Sequence, residues 1–182
     1  MINEAYPPNN DARFEHTGNI LSRFKGIHTF IFDVDGVLTN NEVLITEKGE
    51  LLRTMNVRDG YALRLAIEEG FNLFIITGGK SQGVVDRLKA LGVRDIVTGS
   101  QNKIAAYEDY LDTYGLDEEG ILYMGDDLPD YGVMKRVGLP TCPKDAAPEI
   151  LEISQYISPF NGGAGCVRDV IEKVLLLNGA WR

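Results

Sequence analysis

Two aspartates, Asp33 and Asp35, follow the apolar triplet Phe30-Ile31-Phe32 and stand just before Gly36. In an extended backbone residues i and i+2 point the same way, so both carboxylates can look into one crevice at a strand's carboxyl end. Gly36 lets the chain turn sharply there and present its N–H to an anion. Similar punctuation recurs as Thr77-Gly78 after Asn72–Ile76, and as Gly125-Asp126-Asp127-Leu128-Pro129-Asp130 after Ile121–Met124. Five carboxylates in one crevice repel one another and cannot all stay ionised without a counter-charge. A divalent cation supplies it, and carboxylate and carbonyl oxygens suit Mg²⁺. The remaining groups fit a phosphoryl group: the Thr77 hydroxyl, the Gly78 N–H, and Lys103 acting as a point charge on phosphate oxygens.

These residues meet only if the elements before them lie side by side. A run of bulky apolar residues suits a strand buried on both faces, as in a parallel sheet covered by helices. Strands are expected at Phe30–Phe32, Asn72–Ile76, Asp95–Val97 and Ile121–Met124, with short outer strands at Leu139–Thr141 and Gln155–Ser158. Between them, helices are expected from Asn19 to Lys25, from Asp59, as cap, to Glu69, from Ser81, as cap, to Leu91, from Asn102 to Tyr114, and from Val167 to Leu177. Strands alternating with helices define an α/β fold with a doubly wound parallel sheet, which keeps its ligands at the carboxyl ends of its strands. A small β-hairpin insertion at about residues 40–57 is expected from Glu42–Thr46 and Leu51–Val57 around Glu47-Lys48-Gly49-Glu50. Residues 1–17, with Pro7-Pro8-Asn9-Asn10, read as a mobile arm, and 18–182 as a single domain.

Composition narrows the partners. A net charge of −9 argues against nucleic acid, because neutralising its phosphates needs clustered Lys and Arg. No apolar run approaches membrane-spanning length and no apolar signal core opens the chain, so the expected location is cytoplasmic. Cys142 and Cys166 have no nearby Cys or His in sequence and read as packing residues.

Asp33-Val34-Asp35-Gly36, Thr77-Gly78, Lys103 and Gly125-Asp126-Asp127-X-X-Asp130 resemble, in order, the four motifs of the haloacid dehalogenase superfamily. The resemblance implies a Rossmann-like core of that type. It implies that Asp33 attacks phosphorus, that Asp35 is the acid and then the base, and that Asp33, the Asp35 carbonyl, Asp126 and Asp127 surround Mg²⁺ while Asp130 orients Lys103. An Asp two residues after the nucleophile resembles the phosphatases and phosphomutases of that superfamily. The space between Thr39 and Asn72 holds only a hairpin and one helix, so no large cap domain is expected.

A narrower likeness runs through Val57-Arg58-Asp59-Gly60-Tyr61, Thr77-Gly78-X-Lys80-Ser81, Gly138-Leu139 and Gly162-Gly163-X-Gly165-Cys166-Val167-Arg168-Asp169. These segments resemble the 3-deoxy-D-manno-octulosonate 8-phosphate phosphatases. That implies a homotetramer in lipopolysaccharide synthesis, with hairpin and C-terminal tail at subunit contacts, and Arg58, Asp59 and Lys80 facing a phosphorylated sugar acid. Two positions depart from the pattern: Gly79 and Ala164 stand where that family usually has Arg, the natural partner of a sugar-acid carboxylate. A nine-carbon sugar-acid 9-phosphate is the alternative substrate. A phospho-switch that stops at one phosphate per chain, or an assembly scaffold, is the alternative of a different class.

Overall fold

The computed structural model describes residues 20–182; the expected arm, residues 1–17, lies outside them. Six parallel strands form the main sheet: β1 (Thr29–Phe32), β4 (Asn72–Ile76), β5 (Asp95–Val97), β6 (Ile121–Met124), β7 (Leu139–Cys142) and β8 (Tyr156–Ile157). Their order is β5-β4-β1-β6-β7-β8. All four residues of β1 are buried, as a central strand covered on both faces requires.

The pleat divides the core in two. Phe30, Phe32, Leu73, Ile75, Leu122 and Met124 pack on one face, with α1 (Ile20–Lys25), α2 (Val57–Glu68), α3 (Gln82–Ala90) and α7 (Cys166–Leu177). On the other face, Ile31, Phe74, Ile76 and Tyr123 meet Tyr107, Tyr110, Val133 and Ile150 from α4 (Lys103–Tyr114), α5 (Tyr131–Met134) and α6 (Pro148–Ile153). Cys166 belongs to the first core and Cys142 to the second, and burial pushes the Cys142 thiol up to about 11.

Several expectations are corrected in detail. The hairpin is real but pairs only β2 (Leu44–Ile45) with β3 (Leu51–Leu52), antiparallel; all four residues are exposed, so no core packing extends the ladder. Ser81 precedes α3 without a side-chain cap bond. The cap of α2 is Asn56, which accepts from the Arg58 N–H, and Asp59 sits inside the first turn.

Asp59 was expected to face the sugar acid. Instead it is 1% exposed, and its Oδ1 accepts from the Arg168 N–H at the start of α7, at 2.7 Å. Its buried Oδ2 has no partner among the described residues. Burial pushes its pKa from 3.8 to about 6. A carboxyl whose pKa is raised by folding costs stability as pH climbs between those two values, and the full cost persists above them. Asp59→Asn keeps an acceptor for Arg168 and removes the charge. It is expected to raise stability at pH 7 by up to about 3 kcal/mol and to change almost nothing near pH 2.5, where both states are protonated. Denaturant titration at the two pH values checks this; an equal effect at both would refute the assignment.

The order of the sheet places the site. From β1 the chain crosses to β4 on one side and later returns to β6 on the other, with Phe32 level with Ile75 and Met124. This reversal opens a crevice at the carboxyl end of β1, where doubly wound sheets hold ligands.

Candidate active site

Each polar cluster emerges from one of those three strands. Asp33 leaves β1 with its N–H bonded to the Met124 carbonyl, Thr77 leaves β4 with its N–H bonded to Val97, and Gly125 leaves β6 with its N–H bonded to Thr141. The ladder thus runs to the first residue of each cluster, and the side chains start from a fixed backbone.

A buried cation joins two of the clusters. Lys103 Nζ lies 2.9 Å from Asp33 Oδ2 and 2.7 Å from Asp130 Oδ1. Lys103 opens α4 behind Asn102, whose side chain caps the helix by accepting from the Ala105 N–H. Burial works against the ammonium, but Asp33 and Asp130 outweigh it and hold its pKa above the ordinary value. Asp130 is saturated: besides Lys103 it receives the Tyr123 hydroxyl and, at 3.3 Å, the Asp126 N–H.

Asp33 is only half satisfied. Among the described residues its buried Oδ1 has no hydrogen-bond partner. Burial first, and then the neighbouring Asp130, push its pKa up to about 7 against the pull of Lys103. Asp126 is raised to about 6, also by burial, although Asn41 Nδ2 donates to its Oδ2 at 3.2 Å.

Asp33, Asp126 and Asp130 each offer an oxygen within 4.8 Å of the others. Three carboxylates against one ammonium leave two negative charges, the complement of a divalent cation. Hard oxygen donors and an unpartnered buried oxygen fit Mg²⁺. Gly36 belongs to this fit. Its φ is +84°, and a Cβ there would come within 2.0 Å of Asp126 Oδ2, so a side chain would push into the carboxylate cluster.

The other expected site residues are less uniform. Thr77 is buried, and its Oγ1 accepts from the Gly79 N–H at 3.1 Å, which shapes the turn through Gly78. Asp127 is exposed and caps the Leu128–Asp130 turn through its own side chain, outside the carboxylate cluster. Lys80 is exposed with its stem along Gly99. Arg58 lines a separate cleft with Phe160, Ala164 and Arg168. The glycine-rich segment packs on the loop after Asp35, where the Gly163 N–H donates to Val37 at 2.9 Å.

Two residues were missed. Asn41 holds Asp126, and Arg53 grips Asp35 through Nε–Oδ1 at 2.6 Å and Nη2–Oδ2 at 3.3 Å. No local pattern announces either one, because their partners lie across the hairpin's base.

A haloacid dehalogenase-like hydrolase family model matches residues 90–171. The 3-deoxy-D-manno-octulosonate 8-phosphate phosphatase KdsC of Escherichia coli K12 is 37% identical over 90% of this chain and 87% of its own length. The chain belongs to this phosphatase family. Solved structures agree in fold. The phosphatase of the same name from Yersinia pestis superposes with a TM-score of 0.86 at 36% identity, covering 88% of this chain and 87% of that one. Its counterpart from Moraxella catarrhalis, solved with magnesium, phosphate and KDO, gives 0.85 at 31%, covering 89% and 93%. In the present phosphatase no helix among the described residues is long and apolar enough to cross a membrane.

Proposed function

We propose that this enzyme hydrolyses 3-deoxy-D-manno-octulosonate 8-phosphate to the free sugar acid and phosphate, with Mg²⁺ as cofactor, in lipopolysaccharide synthesis in the cytoplasm. The observation that carries the reading is the buried Asp33–Lys103–Asp130 chain beside Asp126, with one Asp33 oxygen unpartnered. Relatives named as phosphatases of this sugar-acid phosphate support the substrate.

Asp33 is the nucleophile. An Asp33 oxygen forms a bond to phosphorus as the bond to the sugar oxygen breaks, and Asp35 gives that oxygen its proton. Asp35 then takes a proton from water, whose oxygen displaces Asp33 from phosphorus. Lys103, fixed by Asp130, neutralises charge on the transferring group, and Thr77 and the Gly36 and Gly78 N–H groups cradle its oxygens. Bound Mg²⁺ offsets the repulsion between Asp33 and the phosphate and polarises a phosphoryl oxygen. Asp33, Asp126 and the Asp35 carbonyl would hold it, with Asp127 as a ligand or just behind the ligands. Arg58 and Lys80 would take the sugar-acid carboxylate, a task that leaves Asp59 out.

Phosphate release with Mg²⁺ tests the substrate. The octulosonate 8-phosphate is expected to exceed nononate 9-phosphates and hexose phosphates in kcat/KM by at least about tenfold, worth about 1.4 kcal/mol. Preference for a nine-carbon acid would replace the substrate, and one sugar freed per chain with the phosphoryl group retained on the protein would favour a switch.

The working assembly is a homotetramer held by hairpin and C-terminal tail contacts. The hairpin leaves Leu44 and Ile45 66% and 68% exposed, and an apolar tip of this kind is unusual on a free surface. Leu44→Asp with Ile45→Asp is expected to reduce the assembly to smaller species in sedimentation. A wild-type monomer at micromolar concentration would contradict this.

A further inference from the structure

We propose that Arg53, carried on the hairpin, is the positioning residue that holds Asp35 in its working orientation, and that Gly79 is the position that leaves room for the pair. The proposal rests on the reading of Asp35 as acid and base.

Asp35 needs a fixed orientation more than its neighbours do. Its side chain is 37% exposed on the loop that follows β1. The fork of Arg53 fixes the plane of its carboxylate from one side, bonding both oxygens. Two parallel bonds define a plane as a single point charge does not. The guanidinium is itself fixed. Its side chain is 7% exposed, and Nη1 donates to the Leu51 carbonyl at 3.2 Å, so the rotamer entropy is lost before substrate arrives. Arg53 also lines both the groove along the hairpin and the small cavity shared by Asp35, Thr77 and Gly79. It therefore links the insertion to the catalytic loop.

Gly79 completes the arrangement. A Cβ at this position would stand 2.7 Å from Asp35 Oδ2 and 3.5 Å from Arg53 Nη2. Any side chain there would push against the paired carboxylate. The absence of arginine after Thr77-Gly78 is thus matched by an arginine arriving from the hairpin.

The experiment uses p-nitrophenyl phosphate with the intact, Mg²⁺-loaded enzyme. Nitrophenolate leaves without taking a proton, so the first step no longer needs Asp35, while the water step still does. In Arg53→Ala, steady-state kcat is expected to fall about 10- to 100-fold and KM to fall with it, because kcat/KM reports the first step, which is unchanged. Rapid mixing should then show a burst of one nitrophenolate per site at close to the wild-type first-step rate. Arg53→Lys should recover part of the loss, and Gly79→Ala should reproduce the Arg53→Ala phenotype. Unchanged kcat, or a first step that slows in parallel with turnover, would overturn the proposal. Should Arg53→Ala fold poorly by thermal melt, Arg53→Lys and Gly79→Ala carry the same comparison. Asp35→Asn separates the two levels of the argument. If it turns over sugar phosphate normally, the role of Asp35 falls and Arg53 with it; if it is inactive while Arg53→Ala is normal, only the Arg53 proposal falls.

Discussion

Asp33→Asn is expected to lower turnover by at least about 10⁴-fold, the scale seen when a covalent nucleophile is removed, while the protein stays folded. The amide is a far poorer nucleophile than the carboxylate it replaces, and no neighbour offers a substitute: Asp130 is saturated by its three donors. Stability should hold or rise, because the substitution removes a buried charge whose free oxygen has no partner and leaves Lys103 paired to Asp130. Phosphate release and a thermal melt on the same preparation check both halves. Turnover near the wild-type rate would exclude Asp33 as nucleophile.

Lys103→Met should damage both activity and fold. Asp33 and Asp130 would lose the one cation that the structure places between them. Breaking a buried ion pair from one side costs about 3–5 kcal/mol, and loss of a preorganised charge at the phosphoryl group costs about 10²–10³ in kcat. The stability loss carries a pH signature. Asp33 already has its pKa raised to about 7, and removing Lys103 raises it further, so acidification protonates Asp33 and relieves the repulsion. The variant's deficit against wild type should therefore shrink from pH 8 to pH 5, and Mg²⁺ should also reduce it. Urea titrations at the two pH values measure the difference. A deficit independent of pH would show that Lys103 contributes packing rather than charge.

The parts of the site that sequence made legible are those written locally. Phe30–Phe32 followed by Asp-X-Asp-Gly states a buried strand, its end and its chemistry within a few residues, and the same holds for Ile121–Met124 with Gly125-Asp126. Lys103 is different. A lysine opening a helix is ordinarily solvated, and only its place after two acid and glycine clusters marked it.

What sequence did not show depends on distant contacts or short elements. Asp59 reads as the cap of α2, but Asn56 takes that place and Asp59 accepts instead from the Arg168 N–H on a helix far along the chain. The apolar run within Glu42–Thr46 reads as a longer strand than forms, because an uncovered hairpin gains nothing from extending its ladder. Helices α5 and α6 have four and six residues, too few to display a 3.6-residue period. Arg53 follows the exposed Leu51 and Leu52 and reads as solvated until the hairpin folds back on Asp35.

The most direct measurement of the central claim is chemical trapping of the phosphorylated side chain. Enzyme quenched in acid during turnover with the octulosonate 8-phosphate and Mg²⁺, then reduced with borohydride, converts an aspartyl-phosphate to homoserine that peptide mass spectrometry can place. Homoserine at position 33, absent when substrate is omitted, is the result predicted here. Rapid phosphate release with homoserine at another aspartate, or with none while a known aspartyl-phosphate control is trapped, would contradict the account.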